Sequence, residues 1–148
     1  MPTIIEEQLN TGDKLTSLEK YKADDIHGVF LLEDTRGGKR LLQIVDGKGF
    51  NGKLQLLVSI SVDENKILKV DVLEHTETPS YGGYVTEGWF LERFIGKTTD
   101  KQLKAAKIAA KAEEEITIIT GATVTSEAVI NGVNSCFTNY QSIKGEEL

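Results

Sequence analysis

The strongest constraint in this sequence is a pair of period-two runs. Leu54, Leu56, Val58, Ile60 and Val62 alternate with mostly polar neighbours, and after the turn tetrapeptide DENK the residues Leu68, Val70 and Val72 repeat the pattern. Successive side chains of a strand point to opposite faces, so each run predicts a β-strand with one buried face. Upstream, GVFLLE and KRLLQIVD flank the turn TRGG and read as a hairpin beginning at Gly28. A glycine-rich break, GKGFNG, separates that hairpin from the next strand. Strands joined by such short polar turns must run antiparallel, because a parallel neighbour needs a crossover of about a dozen residues.

The pattern changes after His75. TETPSYGGY reads as a shaped loop: Pro79 lacks a donor, Thr78 is pushed extended by the proline, and Gly82 with Gly83 permits unusual dihedrals. TEGWFLERFIGK predicts a short helix with Thr86 as its cap, Trp89, Phe90 and Phe94 as core anchors, and Gly96 at its end. Residues 101–112 predict a second helix, with Ala105, Ile108, Ala109 and Ala112 on one side and Lys104, Lys107 and Lys111 on a solvated face opposite. The run Glu113 to Glu115 is ill-suited to a helix C-terminus, so that helix is expected to stop near Ala112. A short strand, Ile116 to Ile119, leads into the heptapeptide TGATVTS, and Val129, Ile130, Val133, Cys136, Phe137 and Tyr140 mark a C-terminal helix with one apolar face. The first 25 residues are mixed and polar, and Asp24 and Asp25 are placed on a solvated turn without a site role. The expected fold class is α/β in the α+β sense, with helices packed on an antiparallel sheet and residues 1–148 forming a single domain.

Composition narrows the function. With 17 Lys and Arg against 23 Asp and Glu, the net charge is −6, which disfavours nucleic acid, since polyphosphate binding needs clustered positive charge. The one cysteine, Cys136, can form no internal disulfide and cannot by itself build a zinc or iron–sulfur cage, so no metal site is expected and an inert buried thiol is. No run of about 18 apolar residues occurs, and the N-terminus lacks the basic flank and apolar core of a signal peptide. A cytoplasmic protein is expected if the chain is complete as it stands. A membrane-associated subunit on an extracytoplasmic face is expected if it has been truncated.

TGATVTS, residues 120–126, admits two readings. Thr125 or Ser126 can be the N-cap of the last helix, as such residues commonly are. Alternatively, strand, small-residue turn and helix start can hold a phosphate, with Gly121 turning the backbone, Ala122 leaving the surface open and the Thr123 hydroxyl accessible. It is not a P-loop, because the Gly-Lys-Ser/Thr ending is missing. No His, Asp or Lys in the motif can activate a threonine, and His27 and His75 are distant in sequence, so a covalent bond at Thr123 would have to be made by another enzyme.

Two segments together resemble a known family. TGATVTS is similar to the S/T-G-A-T-x-T-S flavinylation motif of FMN-binding domains in the G subunit of Rnf electron-transport complexes and the C subunit of the sodium-translocating NADH:quinone oxidoreductase. LEHTETPSYGGYVTEGWFLERFIGK resembles that family's H-x-E-T-P-G-x-G loop and aromatic helix, and GFNGKLQLLVSISVDENKILKVDVLEHTET its glycine-rich turn and strand pair. The resemblance runs from about Gly49 to Val133, leaving residues 1–27 as an N-terminal extension. It implies that Thr123 bears FMN through a phosphoester, that Thr120, Gly121, Ala122, Thr125 and Ser126 form the surrounding turn and phosphate contacts, and that Glu77, Thr78, Pro79 and Gly82 shape a loop against the flavin. Tyr81 either stacks on the flavin or covers that loop. An ApbE-type flavin transferase would attach FMN from FAD with magnesium, the protein would need no catalytic side chains, and its partners would be the other members of an electron-transport complex. Three departures stand out: Thr117 replaces an Asp of the family's longer motif, Ser80 and Tyr81 replace a glycine and a small aliphatic, and the family's N-terminal membrane helix is absent. A module that holds flavin noncovalently, or serves as a sensor or assembly surface, is the alternative class. A stand-alone flavin reductase fits less well, since no G-x-G-x-x-G follows a strand.

Overall fold

A computed structural model of the chain describes residues 3–23, 25–48, 53–75, 88–118, 123–146 and 148. The expected meander is present. β2 (Ile26–Glu33), β3 (Lys39–Lys48), β4 (Lys53–Ser61) and β5 (Lys66–His75) pair in sequence order, all antiparallel. A short strand, β1 (Lys14–Ser17), adds a fifth at the edge beside β2, within the stretch expected to be merely polar. The β2–β3 turn is built by Asp34, whose Oδ1 accepts the N–H groups of Arg36 and Gly38, each at 2.8 Å. Those two bonds favour the ionised form and hold the Asp34 carboxyl below its usual range.

On β4 the alternation is obeyed: Leu54, Leu56, Val58 and Ile60 are completely buried. On β5 it breaks. Ser59 lies opposite Lys69 but Ile60 lies opposite Ile67, so Leu68 is an extra residue in a β-bulge. The bulge reverses the parity of the strand start, which puts Ile67 in the core at 1% exposure and leaves Leu68, expected inside, 38% exposed.

Both faces of the sheet are covered, where the alternation had suggested one. On the front lies α3 (Thr123–Glu146), whose Val129, Val133, Phe137 and Tyr140 share a core with Leu54, Leu56, Val58 and Ile60. On the back, Ile5 of the short helix α1 (Thr3–Glu6) packs with Phe30, Leu32, Leu42, Ile44 and Leu57. The apolar residues Ile4, Ile5 and Leu9 are too few and too irregular to show a period, yet they close the back face. Cys136 is buried as expected, and burial pushes its thiol pKa far above the ordinary value. Its carbonyl accepts Nε2 of the fully buried Gln43 at 3.0 Å, and Asn139 Nδ2 donates to Gln43 Oε1 at 2.9 Å, so the one amide side chain on the core face of β3 is satisfied.

The helix expected over 101–112 is not formed. Lys104–Ala106 is a strand, β6, running parallel to β7 (Glu115–Thr117), and the residues between are not helical. Ala106 is buried and Ile108 is 80% exposed, the reverse of the helical stripe. A stripe made mostly of alanine buries little area, and a helix of about 12 residues is marginal without packing. A tertiary contact wins instead: Asn134 of α3 grips the Leu103 backbone, accepting its N–H at 2.7 Å and donating to its carbonyl at 2.9 Å.

The aromatic segment forms α2 (Gly88–Leu91) followed by a 3₁₀ turn, Glu92–Phe94. Phe90 and Phe94 are fully buried core residues in an edge-to-face pair with centroids 5.6 Å apart. Gly96, at φ 83°, ends the segment as expected. Thr86 and the Trp89 side chain lie outside the described residues.

Close helix–sheet packing sets a sharp requirement at Gly47, where an added Cβ would stand 2.7 Å from the Ala128 carbonyl oxygen of α3. Gly47→Ala is therefore expected to destabilise the chain by about 1–3 kcal/mol in urea unfolding. Ile108→Asp should change stability by less than about 0.5 kcal/mol. The same substitution at Ile116, 1% exposed, should cost several-fold more, and a large cost at Ile108 would restore the helix.

Candidate functional site

The last strand and the last helix bring one hydroxyl to a helix end. β7 stops at Thr117, the Ile118 N–H bonds the Ala106 carbonyl at 3.0 Å, and Thr123 is the first residue of the 24-residue α3. Thr123 is half-buried, and Val124 beside it is 50% exposed. The opening turn of an α-helix carries N–H groups without intrahelical acceptors, and the aligned peptide dipoles add partial positive charge. No acidic side chain in this first turn offsets that charge. Such a helix end suits an anion from outside the chain.

Thr125 and Ser126 do not sit where caps sit. A cap flanks the helix with non-helical backbone, whereas these are its third and fourth residues, 1% and 0% exposed. The helix starts earlier than the capping expectation required. Among the described residues, Thr125 Oγ1 is buried without a hydrogen-bond partner. An unpaired buried hydroxyl costs about 1–3 kcal/mol, so a polar group held at the helix start would find a partner waiting.

The other residues assigned to the site from sequence, Glu77, Thr78, Pro79, Tyr81, Gly82, Thr120, Gly121 and Ala122, lie outside the described residues. Their flanks are described, and the two flanks touch. Arg93, in the turn that follows α2, donates from Nη1 to the Thr117 carbonyl at 2.5 Å. The Thr117 hydroxyl accepts the Ala110 N–H at 3.1 Å. Sequence reasoning gave Arg93 no role, because one arginine among aromatic anchors carries no periodic signal; the same holds for Asn134.

Along the N-terminal half of α3 lies a cleft of about 370 Å³, lined among others by Asp25, Asp46, Val124, Glu127, Asn131 and Ser135. Asp46 is also paired with His27, Nε2 to Oδ2 at 2.5 Å. Asp25, expected to be only a turn residue, thus belongs to the neighbourhood of the site. Three carboxylates make this cleft a poor host for a phosphate, while the helix end next to it is a good one.

A family model described as the FMN-binding domain matches residues 49–138. The chain belongs to this family. The matched span starts between β3 and β4 and ends within α3, so it includes the aromatic helix, β7 and the helix start at Thr123. The chain is 35% identical over 96 residues to the G subunit of the Na(+)-translocating ferredoxin:NAD(+) oxidoreductase complex of Acetobacterium woodii, covering 64% of this chain and 45% of that protein. It is 30% identical over 124 residues to the C subunit of the Na(+)-translocating NADH-quinone reductase of Vibrio alginolyticus, covering 79% of this chain and 47% of that one. The chain thus spans about half the length of these curated relatives. The crystal structure of the C subunit of the Na(+)-translocating NADH-quinone reductase of Parabacteroides distasonis shares the fold, with a TM-score of 0.74 at 20% identity over 99% of this chain and 83% of that one. Among the described residues of this FMN-binding domain, no helix is long and apolar enough to cross a membrane.

The residues present fit a phosphate-bearing cofactor on two counts: a helix start without an acidic side chain in its first turn, and a Thr125 hydroxyl that has no hydrogen-bond partner among the described residues. Thr125→Val removes the hydroxyl at nearly constant shape. In the flavin-free domain its urea-unfolding stability is expected to match wild type or exceed it by up to about 1 kcal/mol. A clear loss would reveal a hydrogen bond that Thr125 makes within the protein.

Proposed function

We propose that this FMN-binding domain is an electron carrier in which FMN is attached through a phosphoester to the Thr123 hydroxyl. The observation that carries this reading is the placement of Thr123 in the opening turn of α3, at a helix end with no acidic side chain in its first turn. The isoalloxazine would supply the redox chemistry, and the protein would hold and surround it. Thr123 would supply the ester oxygen, the first-turn N–H groups would donate to the phosphate, and Thr125, without a hydrogen-bond partner among the described residues, would offer its hydroxyl. Thr120, Gly121 and Ala122 would form the turn before the helix, Ser126 would support it from within the first helical turn, and Glu77, Thr78, Pro79, Tyr81 and Gly82 would border the ring system. Since no base stands in the motif, an ApbE-type flavin transferase makes the bond with the help of magnesium: the Thr123 hydroxyl takes the FMN phosphoryl group from FAD, the pyrophosphate bond breaks and AMP leaves. By analogy with the relatives, the domain passes electrons between members of an ion-translocating oxidoreductase complex associated with a membrane. A covalent tether suits such a relay, because the cofactor cannot be lost between turnovers.

A noncovalent flavin module is the second reading, and Thr117 favours it. The family's longer motif carries an acid there, and in this chain the Thr117 hydroxyl is instead bonded to the Ala110 N–H. Co-expression with a flavin transferase, followed by denaturing electrophoresis, separates the two. Fluorescence should travel with the wild-type band and vanish in Thr123→Ala. Equal fluorescence in both would remove Thr123 as the attachment point, and none in either would leave the noncovalent module.

A further inference from the structure

Two stretches of chain carry the residues assigned to the flavin, and they are far apart in sequence. One enters α2 at Gly88, and the other leaves β7 after Thr117. We infer that Arg93 is a positioning residue that fixes these two flanks against each other and thereby sets the geometry of the flavin site, an inference that rests on the FMN reading above.

Arg93 is itself anchored. Its guanidinium carbon lies 5.7 Å from the centroid of the Phe90 ring, a cation–π distance, and Phe90 is locked against Phe94 in the core. The acceptor side is equally fixed. Thr117 pairs with Ala106 in the β6–β7 ladder, and its hydroxyl takes the Ala110 N–H. Phe90, Phe94 and Ile116 also share the apolar core, but apolar contact is non-directional and would let β7 slide along the aromatic segment. The bond from Nη1 to the Thr117 carbonyl is directional and charge-assisted, roughly twice as strong as a neutral one. It holds one chosen carbonyl, six residues before Thr123 in the chain. Lys97 Nζ, which donates to the Glu113 carbonyl at 2.6 Å, ties the same two segments before β7, and Arg93 adds the bond on the side that leads to Thr123.

The test uses Arg93→Met, which keeps an apolar stem and removes the donor, and Arg93→Lys, which keeps a donor on a flexible stem. Far-UV circular dichroism and urea unfolding check that each variant folds. Attachment of flavin to the apo chain by a purified transferase is then timed, and visible circular dichroism and the midpoint potential of the attached flavin are recorded. Arg93→Met should attach flavin about tenfold more slowly and shift both the visible spectrum and the potential, because misplacement of reacting groups is costly in rate. Arg93→Lys should return the attachment rate to within about twofold of wild type. A folded Arg93→Met that matches wild type in rate, spectrum and potential overturns the positioning role alone. If Arg93→Met does not fold, Arg93→Lys against Arg93→Gln carries the same comparison: a slow Gln variant beside a near-normal Lys variant supports the role, and equal rates overturn it. A wild-type chain that takes no flavin from the transferase overturns the cofactor reading itself, and the positioning role falls with it.

Discussion

The contact on which most of the structure depends is the near approach of α3 to β3. With no side chain at Gly47, the Ala128 carbonyl comes close enough that any Cβ there would lie within 2.7 Å of it. That approach seats α3 low on the sheet, so that Val129, Val133, Phe137 and Tyr140 reach the row presented by β4. Polar contacts then fix the helix along its length. Cys136 offers its carbonyl to Gln43, Asn134 reaches back to Leu103, and Tyr140 donates to Asn65 Oδ1 at 2.6 Å in the β4–β5 turn. Because Thr123 lies little more than one helical turn before Ala128, pinning the helix at Gly47 also pins the helix end that forms the candidate site.

The site divides its electrostatics between neighbours. The opening of α3 has uncharged side chains and the positive end of a long helix, and the cleft beside it carries Asp25, Asp46 and Glu127. Attraction on one side and repulsion on the other narrow where an anion can rest without any basic residue in the motif. The net charge of −6 does not oppose the phosphate site proposed above, because the field of a helix start comes from the backbone, which composition does not report.

What could be read in the sequence follows from how local each determinant is. The β2–β5 meander and the C-terminal helix rest on periodicity, and both stand as expected. So do the core positions of Phe90 and Phe94 and the helix-ending Gly96. The errors arise where a distant residue overrides a local preference. Residues 101–112 carry a helical stripe, but Asn134 holds Leu103 and the β6–β7 pairing takes the segment. A bulge at Leu68 reverses a parity that alternation alone fixes. The back face of the sheet closes because α1 crosses it, which three apolar residues in a polar stretch do not announce. At the site, the motif drew attention to Thr123, but the number of residues before the helix start could not be counted from TGATVTS. Whether Thr125 and Ser126 cap the helix or lie inside it turns on that count.

Cys136 has a practical consequence for work on this domain. Its side chain is wholly buried, and burial also keeps the thiol protonated, so neither access nor thiolate is available to a reagent. To maleimides and spin labels the native chain is effectively free of cysteine. A single cysteine introduced on the exposed loop between β6 and β7 would then be the one reactive thiol, and distances from that loop to the helix end could be followed without altering the core.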